Sequence, residues 1–582
     1  MFANDEFSHG RLSIPNYVKF KDISSHEELT LRRFAEPTSE LTNAIIASSA
    51  KVETGGQEAK LRPTRAIKRP KRFEVNLVTT HAMDSRPRIS EPLTMQDMRS
   101  SVEVEQWKQA MDEEYQALVD NGVWRLMALP KGRKALKSKW IWKVKYQPNG
   151  DVERFKARLC IKGFLQIAGV DFTGTFAPVL RLESLRVLCA LIAKLDLATK
   201  QLDIKTAFLK CDLEEEIYME QPEGYVIRGS ELLVCRLQKS LYGLKQAPRQ
   251  WHKKLHAVLA GSIVYLAVYV DDITLAGKSE IELDSVSNAI KAKFQVTDKG
   301  ELGFILGIHV VRNRSTKTLK LSQTKFVEEL LTRFNMADCH PVATPQAQGT
   351  ATDDIHAEDT RNVPYQSLVG ALQYLVSATR PDIANSVRYL SSHNHDHNQT
   401  HWRMAKRVLK YLKGTSDKAL TFQGTLTGQP VAFCDADFAN DLNDSKSVTG
   451  FVVMLAGAAV VYASKKQSLV GQSTTEVEFI AAAEAAKSII WLAELLTELR
   501  CTSNGPITLF VDNQSAIQVA QRTSAHGRTK HIRLRYHFLK DLVSEGMIHL
   551  EYINTTEQIA DTLTKSLVPA RFVKLRAMLG LV

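Results

Sequence analysis

The sequence predicts an α+β multidomain protein, and three observations carry that reading. The chain has 582 residues, enough for about three to five domains of ordinary size. Several short runs are rich in β-branched and aromatic residues and are bounded by turn formers, as in IVYLAVYVDDITLAG at 263–277, which reads as a strand, a tight turn and a returning strand. Other stretches place apolar residues at helical spacing, such as Leu368, Leu372 and Leu375, or Ala482, Ala485, Ile489, Leu492 and Leu496.

Residues 1–91 are polar, lack a sustained period and include the basic run LRPTRAIKRPKRF. They read as a disordered linker or tether, with nuclear import or nucleic-acid tethering as further readings. No secretory signal is expected, because MFANDEFSHGRLSIPNY has no apolar core. Residues 137–166 read as a hairpin turning at Pro148, Asn149 and Gly150, with Lys156 and Arg158 on a basic return strand. A solvated strand face is the plain alternative for either cation.

Asp203 lies between Leu202 and Ile204 at the end of a strand-like run, and Phe208 follows five residues later. In the 263–277 hairpin the turn carries Asp271 and Asp272. Buried carboxylates need a compensating cation, so this tip faces water or binds metal. Taken with Asp203, the pair makes the carboxylate set of a two-metal phosphoryl-transfer site. Residues 365–392 read as packed helices.

The final third holds a second set of acids. Asp435 ends a short apolar strand in VAFCDADFAND, and a hairpin-like run follows at 449–464. The next segment is a long helix with Ser473, Thr474 or Thr475 as N-cap. Its helical phase puts Glu478 on the apolar, inward stripe and Glu476 in line with Lys487 and Glu494. Asp512 stands at a strand end, and Asp561 lies in TTEQIADTLTK, where a surface helix position is the alternative. His531 and His537 sit in a basic stretch that could assist product release or form a basic surface helix.

Lys and Arg total 76 against 64 Asp and Glu, a net charge of +12, which suits a polyanionic partner without requiring one. The seven cysteines show no CxxC spacing and read as free thiols of a reducing compartment. The longest apolar run, 450–463, is too short to cross a bilayer. The histidines of SSHNHDHNQTHW (His393, His395, His397, His401) lack the ligand spacing of a structural zinc site and read as a loop between helices.

These blocks, together with SLYGLKQAPRQWHKKL at 240–255, resemble the reverse transcriptase and ribonuclease H portion of the Pol polyproteins of copia-type retrotransposons, over about residues 92–575. The resemblance implies a right-hand polymerase of fingers, palm and thumb, a helical connection and a C-terminal ribonuclease H-like mixed-sheet domain. Its boundaries would fall at 92–335 for the reverse transcriptase, 336–427 for the thumb end and connection, and 428–582 for the ribonuclease H-like domain.

By that likeness, Asp203, Asp271 and Asp272 in one site and Asp435, Glu478, Asp512 and Asp561 in the other would each hold two Mg²⁺. Lys156 and Arg158 would hold a triphosphate, Gln246 would contact the incoming nucleotide, and Phe208 would exclude a ribose 2′-hydroxyl. The implied partners are an RNA template, a DNA primer and product, an RNA–DNA hybrid, deoxynucleoside triphosphates and other element proteins, with no membrane. The implied location is cytoplasmic, in virus-like particles, with a nuclear location as the alternative. No protease-like Asp-Thr-Gly or Asp-Ser-Gly block and no His/Cys zinc module accompanies these blocks, so polyprotein cleavage and DNA joining are not expected.

Two departures from the family pattern favour an alternative, a truncated or decayed copy that binds nucleic acid without polymerising. Lys210 and Cys211 replace a turn pair suited to positive φ. Only residues 250–270 separate QAPR from the Asp pair, an apparent internal deletion near 260 that predicts a missing strand in the sheet carrying the acids. The segment from about residue 428 is expected to keep a core of its own and to survive such damage.

Overall fold

The computed structural model describes residues 89–146, 151–258, 264–348, 363–426, 428–439, 444–501, 505–521 and 533–582. The expected tether up to residue 88, the turn at Pro148, Asn149 and Gly150, the joint at Ala260, Gly261 and Ser262, and His531 all lie outside the described residues.

Helices α1 (Met95–Arg99) and α2 (Val104–Asp120) lead to β1 (Trp124–Ala128) and then to a two-stranded ribbon of β2 (Ser138–Tyr146) and β3 (Val152–Ile161). Alternation decides the ribbon's two faces. Trp140, Trp142, Val144, Ala157 and Leu159 are buried on one side, and the register puts Lys139, Lys143, Lys145, Arg154, Lys156 and Arg158 together on the other. The buried helix α3 (Leu182–Leu195) precedes β4 (Ala198–Ile204), while β5 (Tyr218–Met219) and β6 (Leu233–Leu237) join β1 in the order β1-β6-β5.

After α4 (Ala247–Val258) come the hairpin β7 (Tyr265–Tyr269) and β8 (Asp272–Gly277), helix α5 (Glu280–Lys291) and β9 (Val296–Gly300). They form an antiparallel sheet ordered β7-β8-β4-β9. The expected deletion near 260 falls in residues 259–263, outside the described residues. The two inner strands are paired on both sides, and Leu180 N donates to Val268 O (3.3 Å) on the outer edge of β7, so neither inner strand of the described sheet is left unpaired. Nor does the Lys210-Cys211 pair take the strained turn: Ala207–Lys210 is a single 3-10 turn, Cys211 has φ −101°, and the positive φ falls at Thr206 (57°).

Next come β10 (Phe304–Ile305), β11 (Ile308–Asn313), β12 (Thr318–Ser322), α6 (Thr324–Arg333), α7 (Tyr365–Ala378), α8 (Ala384–Ser392), α9 (Gln399–Lys413) and β13 (Leu420–Gln423). The sheet order β10-β11-β12-β13 joins strands on both sides of the expected boundary at 335. The last part holds β14 (Val431–Asp437), β15 (Val448–Leu455), β16 (Ala458–Lys466), α10 (Thr474–Glu498), β17 (Ile507–Val511), α11 (Gln514–Gln521), α12 (Arg533–Ser544), β18 (Ile548–Tyr552) and α13 (Pro569–Met578). Its sheet, β16-β15-β14-β17-β18, is mixed, antiparallel up to β14 and parallel beyond it.

The separate C-terminal core is not what forms. One apolar cluster runs from α3 through α7, α8 and α9 into β14, β15 and α10. Arg186 of α3, only 2% exposed, donates to Val460 O (2.8 Å), Ser377 O (2.5 Å) and Ala378 O (3.1 Å) and lies over the Tyr462 ring. The C-terminus closes the joint as Thr421 N donates to Gly580 O and Ala419 exchanges backbone hydrogen bonds with Val582. A helical periodicity shows that α3 is apolar on many sides, but not that its partners lie hundreds of residues away.

Candidate active sites

The first acidic group sits on the four-stranded sheet. Asp203 on β4 is directly opposite Asp272 on β8. Tyr269 pairs with Asp272, so the turn residues are Val270 and Asp271, and Asp272 opens the returning strand instead of sharing the turn. Val270 holds φ 54°, a conformation that costs a β-branched residue about 1–3 kcal/mol and recurs at functional sites. Trp251 Nε1 donates to Val270 O (2.8 Å) and helps to fix it.

Burial raises the Asp271 carboxyl above its ordinary range, an effect that Arg158 opposes and Asp203 reinforces. Its Oδ1 is buried without a hydrogen-bond partner. Tyr242 OH donates to Asp271 Oδ2 (3.4 Å), Arg158 Nη2 stands 4.0 Å from the same oxygen, and the guanidinium lies over the Tyr242 ring. Phe208, 7% exposed, meets the Tyr242 ring edge-on at 5.1 Å.

Behind Arg158 the ribbon's basic face continues. Lys156 is pushed down to about 8 by burial and by Arg158, Arg154 and Lys145. Gln246 departs from expectation. Its side chain is fully buried, accepts from Gln166 Nε2 (3.0 Å) and donates to Asp171 O (2.9 Å), so it anchors the loop after β3 instead of facing an incoming ligand.

Sequence reasoning missed Lys299. Its ammonium bonds Asp203 Oδ1 (2.9 Å) and Asp272 Oδ1 (3.0 Å), and these bonds raise it above its ordinary value against the opposing effect of burial. Register explains its aim: Gln201 pairs with Gly300 and Leu202 with Asp298, so Lys299 is the extra residue of a β-bulge. A bulge depends on pairing between distant strands and leaves no local mark in the sequence.

The second group is on the mixed sheet. Asp435 lies within β14 and not at its end, Asp512 follows β17, and Glu478 is in the first turns of α10. One oxygen from each of Asp435, Glu478 and Asp512 lies within 4.8 Å of the others. Burial, then the charges of Asp435 and Asp512, pushes Glu478 up to about 9, and its Oε2 is buried without a hydrogen-bond partner. Asp512 is likewise raised by burial and Asp435.

Ser473 is the N-cap of α10, accepting from Glu476 N (3.2 Å). Glu476 is itself buried at 9%, which corrects its expected outward position. Its Oε2 accepts from Gln472 N (2.9 Å), a contact that satisfies a donor at the helix start.

Asp561 is not on a helix surface but fully buried in a 3-10 turn, Ile559–Leu563. It is not one of the three converging acids, but Lys565 bridges it to Asp435, and Arg571 holds its other oxygen. Burial, followed by Asp435, pushes it up to about 7 against the pull of Lys565. Gly450 allows this approach, since a Cβ there would stand 2.6 Å from Thr564 and 2.8 Å from Leu563. His537 is exposed on α12. Of the other histidines, His393 and His401 stack at 4.0 Å, and burial lowers His401 to about 4. Among the described residues no three ligands gather there as they do at Asp435.

A family model described as reverse transcriptase (RNA-dependent DNA polymerase) matches residues 121–264 and 260–348. The two matches overlap at 260–264, where the sequence looks shortened. The chain is 39% identical to the retrovirus-related Pol polyprotein of transposon TNT 1-94 from Nicotiana tabacum, over 84% of this chain and 39% of that protein. It is 34% identical to the corresponding polyprotein of transposon RE2 from Arabidopsis thaliana, over 92% of this chain and 38% of that protein.

The chain thus spans less than two fifths of the length of these relatives. Among solved structures, a foamy viral protease-reverse transcriptase in complex with dsDNA aligns over 83% of this chain and 88% of that one, at 13% identity and a TM-score of 0.44. The chain belongs to the retrovirus-related Pol polyproteins of copia-type retrotransposons and carries the reverse transcriptase region of that family.

Proposed function

We propose that the chain is an RNA-directed DNA polymerase with a ribonuclease H centre, which extends a DNA primer on an RNA or DNA template and cleaves the RNA of the resulting hybrid. The observation that carries it is the register pairing of Asp203 with Asp272 on a hairpin whose Asp271 faces the basic side of the β2–β3 ribbon. In this reading the ribbon belongs to the fingers, the β7-β8-β4-β9 sheet to the palm, strands β10–β12 with α6 to the thumb, α7, α8 and α9 to the connection, and the mixed sheet to the ribonuclease H domain.

Asp435, Glu478 and Asp512 converge as a hard divalent cation such as Mg²⁺ requires, whereas in the first set Lys299 lies between Asp203 and Asp272 and an ion would take its place. The donors of both sets are carboxylate oxygens, and each set has a buried oxygen, Asp271 Oδ1 or Glu478 Oε2, without a protein partner. Asp203, Asp271 and Asp272 would hold ions in the palm, and Asp435, Glu478 and Asp512 in the second centre. Bound there, the ions would supply charge neutralisation and an activated oxygen nucleophile.

The chain's own groups do the rest. Lys156 and Arg158 present a point charge and a planar fork to phosphate oxygens. Tyr242 holds Asp271 and, with Phe208, walls the space beside it, where a ribose 2′-hydroxyl would collide with the Phe208 ring. Gln246 fixes the 166–171 loop and so acts as a positioning residue.

The test is extension of a DNA primer on an RNA template by the full chain and by Asp271→Asn. The substitution should remove orders of magnitude in rate, since an ion's stabilisation is worth several kcal/mol. Equal rates would sink the palm assignment. The overlap of the two family matches at 260–264 favours one other reading, a copy that binds hybrid without extending. Tight primer–template binding with no extension by the folded parent chain would establish that instead.

A further inference from the structure

In the second centre one positive charge already comes from the chain. Lys565 Nζ stands 3.0 Å from Asp435 Oδ1 and 3.0 Å from Asp561 Oδ1, and both acid side chains are fully buried. The remaining oxygens are occupied too, because Thr564 Oγ1 donates to Asp435 Oδ2 and Arg571 Nη2 donates to Asp561 Oδ2.

All four oxygens of this acid pair therefore have protein donors, whereas Glu478 on the far side of Asp435 keeps an unpartnered buried oxygen. The centre has two unlike halves. The Asp435, Glu478 and Asp512 half keeps one buried oxygen, Glu478 Oε2, without a protein donor. The Asp435 and Asp561 half has an ammonium between its carboxylates, where two unpaired buried charges could not stand alone. The arrangement is built in by the fold: Gln558 Nε2 donates to Cys434 O (2.9 Å), and Gly450 lets the 3-10 turn sit directly on the strand pair that carries Asp435.

We propose that Lys565 is an internal competitor for a divalent ion at the Asp435 and Asp561 half, so that the chain's own ammonium sets how much free ion the centre needs to fill that position. An ion arriving there must displace Lys565, which its partial exposure (32% of the side chain) allows. The inference rests on reading this centre as a metal-dependent nuclease.

The experiment is a Mn²⁺ titration of the full chain, followed by the paramagnetic signal of free Mn²⁺, with Asp435→Asn identifying the ions that belong to this centre. Lys565→Gln should tighten the weakest of those ions about ten-fold, a change of about 1.4 kcal/mol. Lys565→Met should do the same, while Lys565→Arg should leave the ion as weak as in the parent. Hybrid cleavage should reach half its maximum at correspondingly lower Mg²⁺ in the neutral variants.

Neutral variants that melt cooperatively but bind Mn²⁺ no more tightly than the parent would overturn the proposal. The two readings fail separately. Tightened Mn²⁺ binding without any hybrid cleavage would keep the competitor and remove the nuclease, and cleavage with unshifted ion affinity would do the reverse.

Discussion

Replacing Arg186 by Met tests whether the portion carrying the four-stranded sheet and the portion carrying the mixed sheet stand or fall together. The guanidinium is 2% exposed and gives charged hydrogen bonds to Val460 O, Ser377 O and Ala378 O from a helix that precedes β4. Charged hydrogen bonds contribute about 1.5–3 kcal/mol each, and an orphaned buried carbonyl costs about 1–3 kcal/mol. Stacking on Tyr462 (4.5 Å to the ring centroid) adds up to about 2 kcal/mol.

Against these stands the relief of no longer burying a cation, several kcal/mol. The net expectation is a loss of about 3–5 kcal/mol, the scale seen when one partner of a buried polar set is removed. Lys194→Ala provides the contrast. Its ammonium also crosses to the C-terminal portion, donating to Gly428 O (3.1 Å), but from an exposed position, and should cost less than about 1 kcal/mol.

Urea unfolding, followed in parallel by helical signal and by tryptophan fluorescence, should show one transition displaced to lower urea by Arg186→Met and scarcely moved by Lys194→Ala. Primer extension and hybrid cleavage should decline together. Two resolved transitions of which only one moves, or a loss below about 1 kcal/mol for Arg186→Met, would refute the shared core.

Glu478→Gln should abolish hybrid cleavage while Glu476→Gln spares it, because a Gln carbonyl at 476 can still accept from Gln472 N; loss with Glu476→Gln alone would overturn the assignment. Phe208→Ala should raise the ratio of ribonucleotide to deoxynucleotide incorporation by opening the wall beside Tyr242, and an unchanged ratio would return Phe208 to a packing role. The ion-free chain should lose stability as pH rises from about 4.5 to about 9, since the folded Glu478 carboxyl ionises near 9 and the unfolded one near its ordinary value of 4.5, so unfolding releases a proton in that window. Mg²⁺ should therefore raise the melting temperature more at pH 8.5 than at pH 6, and an equal shift at both values would argue against Glu478 as a ligand.

The sequence by itself determined whatever depends on short-range pattern. The alternation of β2 and β3, the YVDD hairpin, the helical phase that selects Glu478 and the hairpin-like run at 449–464 are all written in spacings of two or of three to four residues. Asp203, the Asp271 and Asp272 pair, Asp435 and Glu478 stand out in the sequence because charge there interrupts an apolar pattern, whereas Asp561, in the polar run TTEQIADTLTK, was named through the family resemblance.

Only the tertiary structure decided which neighbours those acids meet. Lys299 reaches Asp203 through a bulge between strands nearly a hundred residues apart, and Lys565 reaches Asp435 because Gly450 lets a distant turn settle on the sheet. The role of Gln246 is not legible locally, because an amide beside a catalytic block looks the same in sequence whether it faces a ligand or holds a loop. The burial of Glu476 is hidden too, because helical phase cannot register a contact made by the residues just before the helix. The continuous core through Arg186 had no local signature either. Periodicity records which face of a helix is apolar, whereas the partner that covers it is chosen by chain topology and close packing.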